Sequence, residues 1–301
     1  MNSDALFLLS ALSVLSIWYA CRWFLLERKR GQTRGRRLPS VGDAAIGFVA
    51  NFFDTLGIGS FAPTTAIFKF QRRIPDENIP GTLNVGHALP TLAEALIFIA
   101  AVTVDRWTLV GMIAAAVLGA WLGVGVVSRL PRRSIQVGMG VALLFAALLF
   151  LAKNLNWLPG GGDALGLDGM RLAFAVGVSF VLGALMMLGV GLYAPCLILV
   201  SLLGMNPLAA FPIMMGSCAF LMPVGGARFV QTGRYDLRGA LGLTLGGIPG
   251  VLVAAFIVKS LPIAWLRWLV TVVATYAAVQ MLSSAVRDRA AARADIQTTA
   301  R

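Results

Sequence analysis

Polar side chains are concentrated in one short stretch of an otherwise apolar chain, NFFDTLGIGSFAPTT at residues 51–65. The stretch contains Asp54, and a charged side chain in hydrocarbon is costly unless it is paired or neutralised. Ionisable groups inside a membrane usually serve function, so Asp54 is a candidate site for coupling a proton or a cation. The alternative is a structural aspartate that caps the following helix.

A second polar group lies in the apolar run 81–103. Its members are Asn84, His87, Thr91 and Glu94, and their spacing of 3, 4 and 3 predicts one polar helical face. His87 is the only histidine, and it can hydrogen-bond an anion or carry a coupled proton because imidazole titrates near neutrality. Glu94 is a candidate proton relay. The alternatives are a core histidine with satisfied hydrogen bonds and a glutamate with a structural partner.

The composition predicts the class of protein that must position these groups. Hydrophobic residues make up 58% of the 301 residues and charged residues 13%, with a mean hydropathy of +0.82. A soluble domain has about 45–50% apolar residues, so the chain is expected to be a polytopic membrane protein in contact with the lipid bilayer. Apolar runs long enough to cross lie at 5–26, 81–103, 106–128, 132–152, 207–227, 238–259 and 262–285, and longer blocks at 42–70 and 172–203.

The two longer blocks are expected to be re-entrant hairpins. Block 42–70 would form a straight helix of about 43 Å, and the sequence GIGSFAP would break it in the middle. With two hairpins, nineteen Lys and Arg fall on one side and five on the other; with two single crossings the numbers are sixteen and eight. Basic loops belong in the cytoplasm, which favours hairpins, an outer N-terminus and a cytoplasmic C-terminus in a bacterial inner membrane. The net charge of +12 therefore reflects orientation rather than nucleic-acid binding.

An internal repeat supports the hairpins. LGIGSFAP at 56–63 and LGVGLYAP at 188–195 share five of eight residues at a separation of 132. Each half would contain one hairpin and three membrane crossings. Because the number of crossings is odd, the second half must be inverted relative to the first. The predicted fold is therefore all-α with two inverted-topology repeats and one extra N-terminal transmembrane helix. The expected segments are an N-terminal helix and basic loop (1–40), first repeat (41–155), linker (156–170), second repeat (171–286) and cytoplasmic tail (287–301).

Broken helices are expected to form the substrate site. A break exposes backbone N–H groups, and the N-terminus of the following half-helix attracts negative charge. In inverted-repeat transporters two such breaks meet near the membrane midplane. The candidate substrate-binding residues are Asn51, Thr55, Gly57, Gly59, Ser60, Thr64, Asn84, His87, Gly189, Gly191, Tyr193 and Ser217; the candidate proton-coupling residues are Asp54, His87 and Glu94.

The paired glycine-rich breaks, each followed by a proline, resemble the TauE/SafE-type sulfite exporter permeases. The closest likeness is in GFVANFFDTLGIGSFAPTTAIFKF and GTLNVGHALPTLAEALIF, and the resemblance covers roughly residues 40–285 and leaves the first span outside. It implies transport of small sulfur-containing anions such as sulfite, sulfoacetate or other sulfonates. The chain departs from the glycine-rich pattern at Asn51, Asp54 and Ser60.

Three classes of function follow from these patterns. The favoured class is a secondary transporter of a small anion that works by alternating access, with protons as candidate coupling ions. An anion channel or a membrane accessory protein is the alternative. An enzyme is disfavoured because HExxH and Walker motifs do not occur, and the three cysteines lack metal-ligand spacing, so no cofactor or metal is expected. The sequence leaves the exact substrate, the direction and the oligomeric state open.

Overall fold

A computed structural model describes residues 3–31, 38–71, 74–75, 78–127, 162–186 and 192–299, with short pieces between 137 and 157. Within these residues the chain is all-helical. The helices are α1 (Ser3–Gly31), α2 (Val41–Thr55), α3 (Phe61–Gln71), α4 (Ile79–Gly86), α5 (Ala88–Ala101), α6 (Arg106–Val127), α7 (Gly169–Met186), α8 (Tyr193–Leu202), α9 (Ala210–Thr232), α10 (Leu237–Ser260) and α11 (Ile263–Thr299), with a 3-10 turn at Pro207–Ala209.

Among the described residues, five helical segments are long and apolar enough to cross a membrane. They are Leu6–Arg30, Gly169–Met186, Pro207–Thr232, Leu237–Ser260 and Trp268–Arg287. The predicted class, an all-α polytopic membrane protein, is confirmed. The predicted span 132–152 lies mostly outside the described residues, and the last helix continues to Thr299 through most of the predicted tail.

The first predicted break is confirmed. Helix α2 ends at Thr55 and α3 begins at Phe61, and Gly57 and Gly59 between them have φ values of 92° and 90°. Glycine adopts this left-handed region without the steric cost that other residues meet there. A second interruption separates α7 from α8, and its central residues 187–191 lie outside the described part of the chain.

The predicted single helix 81–103 is wrong at one point, because α4 ends at Gly86 and α5 begins after His87. Pro90 has no N–H to donate to the Gly86 carbonyl, so the regular hydrogen bond is missing there. The Thr244 hydroxyl of α10 donates to that carbonyl at 2.7 Å instead. The interruption therefore lies where α10 can supply a donor to the Gly86 carbonyl.

The helices occur in a repeated order. The second half repeats the helix order of the first: α7 corresponds to α2, α8 to α3, α9 to α4 with α5, and α10 to α6. Helix α3 starts at Phe61 and α8 at Tyr193, which are 132 positions apart. The counterpart of the bent α4–α5 pair is continuous from Ala210 to Thr232. Helix α2 packs along α10, and α6 packs along α7. The first helix of each half thus lies against the fourth helix of the other half.

Small residues allow both of these helix pairs to approach closely. A Cβ at Gly47 of α2 would lie 2.6 Å from the Gly242 carbonyl oxygen, and one at Gly246 of α10 would collide with the Ala44 carbonyl. In the other pair, a Cβ at Gly119 would collide with the backbone of Phe180. Close backbone contact through small residues is a main source of helix association in membranes, where the hydrophobic effect no longer acts between helices.

Helix α1 is fixed to the second half at its basic end. Trp23 Nε1 donates to the Tyr235 hydroxyl at 3.0 Å, and Tyr235 donates to Glu27 at 2.6 Å. Burial and the Glu27 carboxylate raise the pKa of Tyr235, which keeps its hydroxyl protonated as a donor. Arg30 donates to the last carbonyls of α9, those of Val230 and Gln231, at 2.6 and 2.8 Å. A cation at a helix C-terminus is favourable because the dipole is negative there.

The close packing of α2 and α10 predicts a strong effect of one methyl group. We expect Gly246→Ala to lower the free energy of unfolding by about 1–3 kcal/mol, because the new Cβ forces the helices apart. The measurement is the apparent Tm of purified protein, followed by tryptophan fluorescence. Gly177→Ala is the matched control, since a Cβ there meets nothing within 4 Å and the residue is exposed on α7. Equal Tm values for the two variants would contradict the packing account.

Candidate functional site

Eight polar side chains form one buried network between the two halves. They come from α2, the first break, α3, the bend before α5, α5 itself and the start of α8, and each is at most 5% exposed. The members are Asn51, Asp54, Thr55, Ser60, Thr64, His87, Glu94 and Tyr193. All eight were expected from the sequence as binding or coupling residues, and the structure brings them together.

Glu94 joins the first break to the second half. Its Oε1 accepts a hydrogen bond from Thr55 Oγ1 at 2.7 Å, and its Oε2 accepts one from the Tyr193 hydroxyl at 2.9 Å. Thr55 is the last residue of α2, and Tyr193 is the first residue of α8. A single carboxylate therefore bonds one residue beside each helix interruption.

His87 lies on the other side of the first break. Asn51 Nδ2 donates to the Gly47 carbonyl at 2.8 Å, which turns its Oδ1 toward His87 Nδ1 at 3.0 Å. An amide oxygen only accepts, so Nδ1 carries the proton in this arrangement. The other nitrogen, Nε2, lies 3.3 Å from Thr64 Oγ1, whose hydroxyl also lies 2.8 Å from the Ser60 carbonyl. The Thr64 hydroxyl has one proton. While that proton is donated to the Ser60 carbonyl, the Thr64 oxygen can accept from a protonated imidazole, whereas a neutral imidazole competes with the Ser60 carbonyl for it.

Asp54 faces the N-terminus of α3. Its Oδ2 accepts a hydrogen bond from Ser60 Oγ at 2.9 Å, and the Ser60 carbonyl accepts the first helical bond of α3, from Thr64 N, at 3.1 Å. The positive end of the α3 dipole therefore meets a carboxylate of the chain itself. The second half has Met186 at the corresponding position, so this feature occurs once.

The glycine of the first break lies against the second half. A Cβ at Gly57 would lie 3.2 Å from Leu197 Cδ2 of α8 and 3.7 Å from Met214 Cε of α9. A larger residue at Gly57 is disfavoured for two reasons: the backbone φ is positive, and a side chain would crowd Leu197. The first break and the helix that follows the second interruption are thus in direct contact.

Two other predicted binding residues, Asn84 and Ser217, lie outside the network. Asn84 precedes the bend at His87, and its Oδ1 lies near Gly225 of α9, so the expected single polar face is divided. Ser217 donates to the Ile213 carbonyl of its own helix at 2.7 Å. Gly189 and Gly191 fall outside the described residues. Within the described part of the chain, no group of three or more His, Cys, Asp or Glu side chains is arranged to hold a metal ion.

One buried polar side chain was overlooked as a site residue. Thr91 belongs to the polar stripe of α5 and is 1% exposed, yet the candidate residues included only its neighbours on that stripe. The same spacing that selected His87 and Glu94 also selects Thr91.

The fold and this site define a polytopic membrane protein that holds a polar, ionisable centre away from water. The model of the Sulfite exporter TauE/SafE family matches residues 2–150. This match covers just under half of the chain and confirms the resemblance drawn from its motifs; at the level of the family, it implies membrane transport of sulfite or related anions. Comparisons with curated proteins and with solved structures gave no match.

The extent of the family match differs from the range expected from the motifs. It begins at residue 2 and therefore includes α1, which that expectation left outside. It ends at residue 150, before the second half, so every network member except Tyr193 lies inside the matched region.

The bridge through Glu94 predicts a measurable contribution to stability. We expect Tyr193→Phe to lower the free energy of unfolding by about 1–3 kcal/mol, because Glu94 Oε2 loses its donor in a buried position. The control is Tyr276→Phe, where the lost hydroxyl accepts a hydrogen bond from Gln280 of the same helix. Thermal unfolding of both variants in the same detergent provides the measurement. A Tyr193→Phe protein no less stable than the control would show that the bridge contributes nothing.

Proposed function

We propose that the protein is a secondary transporter of small anions, with sulfite, sulfoacetate and other sulfonates as the favoured substrates. The observation that carries the proposal is the buried network in which Glu94 bonds Thr55 at the first break and Tyr193 at the second. Ionisable groups inside a membrane protein are costly, and where they occur they usually mark a substrate or ion pathway. The family match supports the anionic nature of the substrate.

The two halves act as inverted-topology repeats. The similar separation of corresponding helices along the chain supports this proposal, as does the reciprocal packing of α2 with α10 and of α6 with α7. Such an exchange of contacts is expected when two similar units are related by a two-fold axis in the membrane plane. The distribution of Lys and Arg supports an outer N-terminus, a cytoplasmic C-terminus and an inner-membrane location.

The charges of the network link anion binding to protons. Its members include two carboxylates, Asp54 and Glu94, and neither Lys nor Arg. An anion about 4 Å from an ionised carboxylate is repelled by about 4 kcal/mol at an effective dielectric constant of about 20. Protonation removes this repulsion and converts a carboxylate from an acceptor into a donor. The anion therefore enters together with a proton on Asp54 or Glu94, or on His87 beside them.

Alternating access requires the bridge to open and close. The Tyr193 hydroxyl belongs to the second half and Glu94 to the first, so rocking of the halves must lengthen this 2.9 Å hydrogen bond. A proton on Glu94 weakens the bond because a neutral carboxyl is a poorer acceptor than a carboxylate. Proton binding and opening are thereby coupled at one residue.

Flux measurements test the proposal. We expect proteoliposomes with the wild-type protein to take up labelled sulfite or sulfoacetate faster with an inward proton gradient than without one. Asp54→Asn and Glu94→Gln are each expected to lower the dependence on the gradient at least several-fold, since the amide cannot exchange a proton. The control Asp168→Asn changes an exposed carboxylate outside the network and should behave as wild type.

The other outcomes separate the alternatives. Anion flux that changes neither with the proton gradient nor in the two network variants would support anion transport and contradict proton coupling. Conductive flux without saturation would favour an anion channel. Absence of specific flux for every anion tested, with folded protein in the liposomes, would favour an accessory role.

A further inference from the structure

Thr91 lies next to the network along α5, and its hydroxyl has no hydrogen-bond partner among the described residues. The side chain is 1% exposed, so bulk water does not reach it freely. It lies on α5 between His87 and Glu94, at helical distances of four and three residues. Side chains at these separations are neighbours on one helix face, about 5–6 Å apart at Cβ. Both of these neighbours are members of the network.

The orientation of the Thr91 hydroxyl is unusual in this chain. Buried hydroxyls of helical Ser and Thr residues commonly donate to the carbonyl four residues earlier. Thr64, Ser201 and Ser217 do so here, at 2.7–2.8 Å. For Thr91 the corresponding acceptor is the His87 carbonyl at the bend, which accepts the Thr91 backbone N–H at 2.9 Å. The hydroxyl makes no such bond and is left available beside the network.

The ionisable and amide side chains of the network already have partners. Both oxygens of Glu94 accept from hydroxyls, and both ring nitrogens of His87 have neighbours. Asp54 is bonded to Ser60. A ligand that enters the network without breaking these bonds therefore finds its unused hydroxyl at Thr91. Buried polar groups without partners are rare, and a bound ligand is one of the recognised reasons for them.

We infer that the Thr91 hydroxyl donates a hydrogen bond to an oxygen atom of the transported anion, an inference that rests on the proposed function. A hydroxyl suits this role because it donates to an oxyanion without adding a fixed charge. It binds the substrate between His87 on one side and Glu94 on the other. Thr91 is thus a specificity residue for oxyanions, distinct from the groups that carry protons.

The test compares sulfite uptake by proteoliposomes of the wild type, Thr91→Val, Thr91→Ser and Thr275→Val. Valine keeps the shape of threonine and removes the hydroxyl, so we expect the KM for sulfite to rise about tenfold or more, the range for a lost hydrogen bond to a charged group. Serine retains the hydroxyl and should recover most of the affinity. Thr275 donates to the Thr271 carbonyl of its own helix, so Thr275→Val controls for the substitution itself.

The pH dependence of uptake separates binding from proton coupling. Thr91→Val is expected to raise KM at every pH while the ratio of uptake with and without the proton gradient stays at the wild-type value. An unchanged KM in Thr91→Val, with normal wild-type transport, would overturn the role of Thr91 and leave the proposed function intact. An equal rise of KM in Thr91→Val and Thr91→Ser would also overturn it, because packing rather than the hydroxyl would then be responsible. No sulfite uptake by the wild type would overturn the proposed function and this inference together.

Discussion

The buried carboxylate of Glu94, held by hydroxyls from both halves, is the interaction on which the rest of this structure depends. An ionisable group at 0% exposure is tolerated only where each of its oxygens is bonded. Thr55 and Tyr193 meet that requirement, and both stand beside a helix interruption. Glu94 of α5 therefore joins the last residue of α2 to the first residue of α8. Helix packing serves this arrangement, because the glycines of α2 and α10 bring the first break against the second half.

The two interruptions are alike in sequence and unlike in chemistry. The first is followed by a half-helix whose positive end is met by Asp54, and the second has Met186 at the corresponding position. Seven of the eight network side chains come from the first half, and the second half contributes Tyr193. A repeat of similar helices thus supplies the scaffold, and the first half supplies both carboxylates and the histidine. This division is compatible with rocking halves around a site whose charge resides on one of them.

Much of this site could be predicted from local sequence signals. Asp54, His87 and Glu94 are rare residue types in apolar sequence, and the glycines of the break require a turn, so both could be recognised without tertiary information. The interruption at His87 was overlooked although Pro90 is a local signal for it. The Thr244 hydroxyl that bonds the freed Gly86 carbonyl lies more than 150 positions away and follows from no local pattern. Asn84 lies before this interruption, near Gly225 of α9. The contact of Glu94 with Tyr193 spans 99 positions and follows from no local pattern.

The central claim is that the anion binds between the two helix interruptions, and a structure with a bound anion tests it most directly. Selenite is a close analogue of sulfite, and its selenium atom gives an anomalous signal in diffraction from crystals of the full chain in lipid. The account predicts one strong anomalous peak next to α5, with an oxygen about 3 Å from the Thr91 hydroxyl and near Tyr193. Ordered selenite only at the basic ends of the helices, with the space between the interruptions filled by side chains, would contradict it.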